Sequence, residues 1–229
     1  MALEHHRNLQ GGGARAAVFG VSDGLVSNVA LILGMAGAHA TAGAVRLAGL
    51  AGLIAGAFSM AAGEYVSMRA QSELMQRELD VERQAIRHDP EDEQKELAAI
   101  YESRGLDSGL AEELSVKMMR SPELALETHA REELGIDPEQ TGKPVQAAVS
   151  SFSAFALGAV IPLLPWLVTG GTTAIRWSMA LGALAAFGVG AALAHFTGRW
   201  WLFSAVRQLF ISAIAASVTY SIGHVVGLG

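Results

Sequence analysis

Residues 46–87 read RLAGLAGLIAGAFSMAAGEYVSMRAQSELMQRELDVERQAIR. The first part, to about residue 68, is apolar apart from Arg46 at its head and one carboxylate, Glu64. The rest carries Arg69, Glu73, Arg77, Glu78, Asp80, Glu82, Arg83 and Arg87. A run of ~20 apolar residues crosses ~30 Å of hydrocarbon. No Pro, and no Gly after Gly63, interrupts the stretch that leads on to Arg87. One helix is therefore expected to cross a membrane and continue into water through Met68–Arg87.

Working outward, the same division holds along the chain. Of the 22 Asp and Glu, 19 lie between residues 71 and 143, beside 9 of the 16 Lys and Arg; the other residues hold only Glu4, Asp23 and Glu64 as acids. Four further stretches are long and apolar enough to span, at about 16–38, 146–169, 177–197 and 203–227. Gly and Ala are abundant in them, as close helix packing in lipid favours. A signal peptide is a rival for the first, with Ala38-His39-Ala40 behind it, but the run is long for that and contains Asp23. The fold expected is all-α: a polytopic membrane protein of five transmembrane helices with a helical domain inserted between helices two and three. Its parts are an N-terminal segment 1–15, spans one and two at 16–70, an acidic domain at 71–143 and spans three to five at 144–229.

Five spans put the termini on opposite sides and the acidic domain on the side of the N-terminus. Arg7, Arg15, Arg69, Arg199 and Arg207 share that side, against Arg46 and Arg176. The positive-inside rule then makes it cytoplasmic. The net charge of −6 disfavours nucleic acid and favours cations. With no Cys, disulfides, thiolate zinc and iron–sulfur clusters are excluded. Within the domain, Asp89-Pro90 and Ser121-Pro122 are helix starts, Gly105 and Gly135 are stops, and a further helix is expected at about 109–120.

A carboxylate at membrane depth costs roughly 2.5–3.5 kcal/mol on insertion scales, so Asp23 and Glu64 need a role. At 1.5 Å per residue Asp23 lies ~10 Å deep, Met60 ~12 Å and Glu64 ~6 Å from the same surface. The three can meet on neighbouring antiparallel helices, with Ser27 and Asn28 close by. Carboxylate plus thioether suits a borderline divalent ion better than Mg2+ or Ca2+. The bland readings are a packing hydrogen bond for Asp23, a snorkelling Glu64 and Met side chains that merely fill space. His195 and His224 read as interfacial packing, Pro162 and Pro165 as a kink in span three, and Gly20-x-x-x-Gly24 and Gly52-x-x-x-Gly56 as close helix contacts.

In the acidic domain Glu78 and Glu82 are one turn apart, Glu93 and Glu96 stand at i, i+3, and Glu132-Glu133 ends the last helix, where His129 offers a nitrogen. Paired carboxylates from several helices can build an oxygen-rich pocket for Fe2+ or Mn2+; a solvated acidic face is the alternative. The Glu-x-x-His spacing of di-iron bundles is missing, because Leu126 stands three residues before His129.

Several separated motifs, in order, resemble the vacuolar iron transporter family. They are Gly20-Val-Ser-Asp-Gly-Leu, Ser59-Met-Ala-Ala-Gly-Glu-Tyr, Ile161-Pro-Leu-Leu-Pro and Thr128-His-Ala-Arg-Glu-Glu-Leu-Gly. The resemblance implies a homodimer of five-helix protomers moving Fe2+, and often Mn2+, out of the cytosol in exchange for protons. Asp23 and Met60 match its path positions, and Glu82, Glu93, Glu96 and Glu133 its metal-domain glutamates. Departures are Ala85 in place of a glutamate, His129-Ala130 in place of a Met pair, and Gly52 where an acidic residue stands before the span-two Met. These departures point to a bacterial branch and a bacterial inner membrane. With only residues 1–15 before span one, no ferritin-like domain is expected. The expected role is transport rather than catalysis, with no prosthetic group. Its rivals are a membrane-anchored metal sensor and, disfavoured by the missing spacing, a membrane-bound iron oxidase.

Overall fold

The structure is a computed structural model that describes residues 12–138 and 142–227. Most of the expected N-terminal segment, residues 1–11, lies outside the described residues. Among the described residues eight helices run in order: α1 Gly12–Gly37, α2 Ala42–His88, α3 Pro90–Ser103, α4 Ser108–Met118, α5 Pro122–Glu132, α6 Pro144–Val168, α7 Gly171–Thr197 and α8 Trp201–Gly227. No strand occurs among the described residues. Five of the helices, α1, α2, α6, α7 and α8, are long and apolar enough to cross a membrane. The protein is thus an all-α integral membrane protein. α2 alone is 47 residues long, one unbroken helix.

The chain divides into two compact units: residues up to Val66 with those from Pro144 onward, and Ser67–Lys143. In the first, α1 is the centre and packs against α6, α7 and α8. Small residues make this possible. A Cβ on Gly24 would lie 2.1 Å from the Phe155 carbonyl oxygen, and one on Gly158 would lie 2.1 Å from that of Val21. Each helix therefore sinks into the other where both lack a side chain. The Gly20/Gly24 face is in this way occupied within the chain, against α6. Leu25, Val29, Leu33 and Ala186 form one buried cluster, and Ile32, Val45, Leu163, Trp166 and Ala174 lie in another. Conversely Leu47, Phe58, Leu157, Leu184, Phe210 and Val225 are exposed. That inside-out pattern would be unfavourable in water and is natural in lipid.

Polar side chains in this unit bond to α6 backbone. Asn28 Nδ2 donates to the Ala159 carbonyl at 2.6 Å, Ser178 Oγ to that of Pro162 at 2.5 Å, and Arg46 Nε to that of Trp166 at 2.6 Å. Pro162 and Pro165 both lie inside α6, which continues through them. Each proline removes one N–H donor from the helix.

The second unit comprises the end of α2 with α3, α4 and α5; within it α3 and α4 pack over a small core of Leu97, Tyr101 and Ala111, with Leu106, Leu114 and Met118 against it. Ser121 caps α5 by accepting from the Leu124 N–H at 3.2 Å. Asp89 precedes Pro90 as expected but makes no side-chain cap; its backbone carbonyl accepts from the N–H groups of Asp92 and Glu93 instead. Gly105 and Gly135, the expected stops, have φ of +96° and +65°, where a Cβ is strained.

Candidate metal centre and membrane cavity

Four side chains converge in the second unit: Glu82 from α2, Glu93 from α3, His129 from α5 and Glu133 from its C-cap. One ligand atom from each lies within 4.8 Å of all the others. His129 Nδ1 is 3.1 Å from Glu82 Oε1, 3.4 Å from Glu133 Oε2 and 3.7 Å from Glu93 Oε2. His129 is wholly buried, and Glu82 nearly so at 7% exposure. Neither Glu82 Oε1 nor His129 Nε2 has a hydrogen-bond partner among the described residues. Buried charge of this kind is costly unless paired or bound to a metal.

The electrostatics are a consequence of that burial. Loss of water pushes the Glu82 carboxyl up to about 7; His129 pulls it down, while Glu133, Glu93 and Glu96 push it further up. Burial also raises Glu93, again against His129 and with the help of Glu96, Glu133 and Asp89. A carboxyl held near neutrality, as that of Glu82 is, exchanges a proton for a cation readily, because both use the same oxygen lone pairs. Three oxygens and one imidazole nitrogen form a donor set suited to Fe2+ or Mn2+.

The other sequence candidates in this unit lie outside the foursome. Glu96 is exposed and acts on Glu82 through its charge. Glu78 is half-buried one turn before Glu82. Glu132 pairs with the Arg104 guanidinium, which also donates to the Glu132 carbonyl at 2.8 Å.

In the membrane unit a cavity of about 330 Å³ is lined by Asp23, Ser27, Asn28 and Leu31 of α1, by Gly52, Gly56, Ser59 and Met60 of α2, and by Phe155 of α6. The positions from α2 fall at i, i+4, i+7 and i+8, one helix face. Asp23, Met60 and Asn28 are brought together here. Glu64, one turn beyond Met60, is not part of the lining. Both glycines of the Gly52/Gly56 pair are closely approached, as their spacing predicts: a Cβ on Gly56 would strike the Phe155 ring at 2.2 Å, and one on Gly52 would meet Leu31 Cδ2 at 2.5 Å. His224, expected to serve in packing, stands edge-on to His39 with ring centroids 5.8 Å apart. Nothing local in the sequence marks His39 as lying near the end of α8.

These features define a class: a polytopic helical membrane protein whose second unit gathers carboxylates around a histidine. The chain belongs to the VIT family, whose model matches residues 14–224. Over 228 residues it is 36% identical to "Vacuolar iron transporter" of Acanthamoeba castellanii, covering 96% of this chain and 82% of that protein. To "Vacuolar iron transporter 1" of Arabidopsis thaliana it is 33% identical, covering 98% and 91%. To "Vacuolar iron transporter 1" of Oryza sativa it is 30% identical over 213 residues, covering 93% and 84%.

Proposed function

We propose that this protein is a membrane transporter that moves Fe2+, and Mn2+ with it, out of the cytosol in exchange for protons. The observation that carries the reading is the convergence of Glu82, Glu93, His129 and Glu133 on one point, in a chain whose relatives are named iron transporters. In this reading the acidic unit is cytoplasmic and captures the ion, with Glu78, Glu96 and Glu132 supplying an attractive field around the four ligands. Asp23 and Met60 then receive it at the membrane cavity: the carboxylate exchanges metal for proton, and the thioether favours a borderline ion. Glu64 serves as a carboxylate at the approach to the cavity. The working form is a homodimer in a bacterial cell membrane, with the N-terminus in the cytoplasm, and no catalytic step is involved.

Anaerobic Fe2+ uptake into proteoliposomes tests this. Asp23→Ala should abolish uptake while leaving binding at the soluble cluster intact. An Asp23→Ala protein that transports normally would sink the path assignment. A wild-type protein that binds Fe2+ but gives no flux, with or without a pH gradient, would instead be a metal sensor.

A further inference from the structure

We propose that the amide oxygen of Asn28 is a neutral ligand to the transported ion at the inner end of the membrane cavity, standing where a second carboxylate would otherwise be needed. The proposal rests on the transport reading and assigns a role within its path.

Asn28 is 2% exposed, and its Nδ2 donates to the Ala159 carbonyl at 2.6 Å. That bond settles which way the amide lies. A carbonyl only accepts, so the nitrogen must face α6 and Oδ1 must face the other way. There Oδ1 has no hydrogen-bond partner among the described residues. Buried amide oxygens are nearly always satisfied, so an orphan held at the wall of a cavity calls for a partner from that cavity.

What it faces explains why the place is open. A Cβ on Gly52 would stand 3.1 Å from Asn28 Oδ1, and the nearer obstruction is only the end of the Leu31 side chain, at 2.5 Å. The missing side chain at 52 leaves the oxygen uncrowded from α2. The rest of the lining offers further donors: the Asp23 carboxylate, the Ser27 and Ser59 hydroxyls and the Met60 sulfur. Asp23 is the one carboxylate among the lining residues. A divalent ion held there keeps net positive charge, so it is bound firmly enough to enter and loosely enough to leave, as conduction through a site requires. A carbonyl oxygen completes the shell without adding the charge that would trap the ion.

Two variants probe this from opposite sides. Asn28→Asp keeps the shape and adds a charge, at the cost of the bond to the Ala159 carbonyl; it should lower the apparent KM for Fe2+ uptake about tenfold and lower the maximal rate with it. Gly52→Ala leaves the Asn28–Ala159 bond alone and sets a methyl against Oδ1; it should raise KM about tenfold with the melting temperature unchanged. A purely structural Asn28 would move stability and leave KM where it was. If both variants fold and keep the wild-type KM, the assignment is wrong. If the wild type moves no ion, the transport reading fails separately. Fe2+ titration of full-length protein carrying Glu93→Gln and His129→Ala then decides on Asn28 directly. Tighter binding on adding Asn28→Asp supports the ligand, and unchanged or absent binding overturns it.

Discussion

A buried imidazole among three carboxylates is tolerated in one of two ways: by sharing protons with them or by sharing a cation. In the metal-bound case His129 supplies the only nitrogen of the four ligands. His129→Ala should therefore weaken Fe2+ binding by full-length protein in detergent by at least about tenfold in calorimetric titration. Glu127→Ala, on an exposed side chain paired with Arg131, should leave it unchanged. Acidity enters through Glu82, whose carboxyl is raised from 4.5 to about 7 by burial. Below pH 7 a proton occupies the oxygen the metal needs, so affinity should fall by up to ~10-fold per pH unit from this group. Metal-free stability runs the other way. The folded unit holds its Glu82 proton where the unfolded chain has already lost it, so this group's contribution is present below pH 4.5 and is lost as pH rises to about 7. A metal-free protein whose melting point rises between pH 5 and pH 7 in step with Glu82, but not in Glu82→Gln, would contradict that sign. The four residues that converge, Glu82, Glu93, Glu133 and His129, were all among the candidates the sequence offered. Their separation from Glu78, Glu96 and Glu132 was not, because it depends on which side of each helix faces the small core.

At the scale of elements, the α1–α6 crossing is held by geometry rather than by any single bond. Gly24→Ala must push α1 off the Phe155 carbonyl, a backbone atom that cannot rotate away. Overpacking of this kind costs about 1–3 kcal/mol. The unfolding midpoint in detergent, followed by Trp fluorescence, should drop by roughly 2–10 °C. Gly188→Ala, with nothing within 4 Å of its Cβ, should be neutral or slightly stabilising. Helix boundaries were largely legible because their signals are local: Ser121-Pro122 opens α5, and Gly105 and Gly135 adopt positive φ. Asp89 is instructive, since the residue is right for a cap yet its side chain makes none. The expected meeting of Glu64 with Asp23 and Met60 came from depth and from the helix face Glu64 shares with Met60 at i, i+4. The cavity is shorter along the helix than that reading assumed, and its lining stops one turn short of Glu64.

For the whole molecule, five spans were countable because lipid demands a fixed apolar length whatever the packing. The meeting of Asp23, Met60 and Asn28 was legible from their depths along the helices; that Gly52, Gly56 and Phe155 complete the lining was not, because a glycine carries no chemical sign of what it faces. The carboxylate–histidine cluster carries one last consequence, concerning the lifetime of the protein. Its four side chains come from positions 82, 93, 129 and 133, so on the proposed reading one bound ion would tie together the two ends of a segment whose own core is small. An ion that binds only the folded form stabilises it by ~2.7 kcal/mol at a hundredfold excess over its Kd. The connections around Arg104–Asp107 and Met119–Ser121 should then be nicked by protease several-fold faster in chelator than in Mn2+. Glu93→Gln should erase the difference, and equal digestion of the wild type with and without metal would refute the link. In a cell short of metal, this makes the empty protein the one that is degraded, so its abundance would follow the supply of the ion it handles.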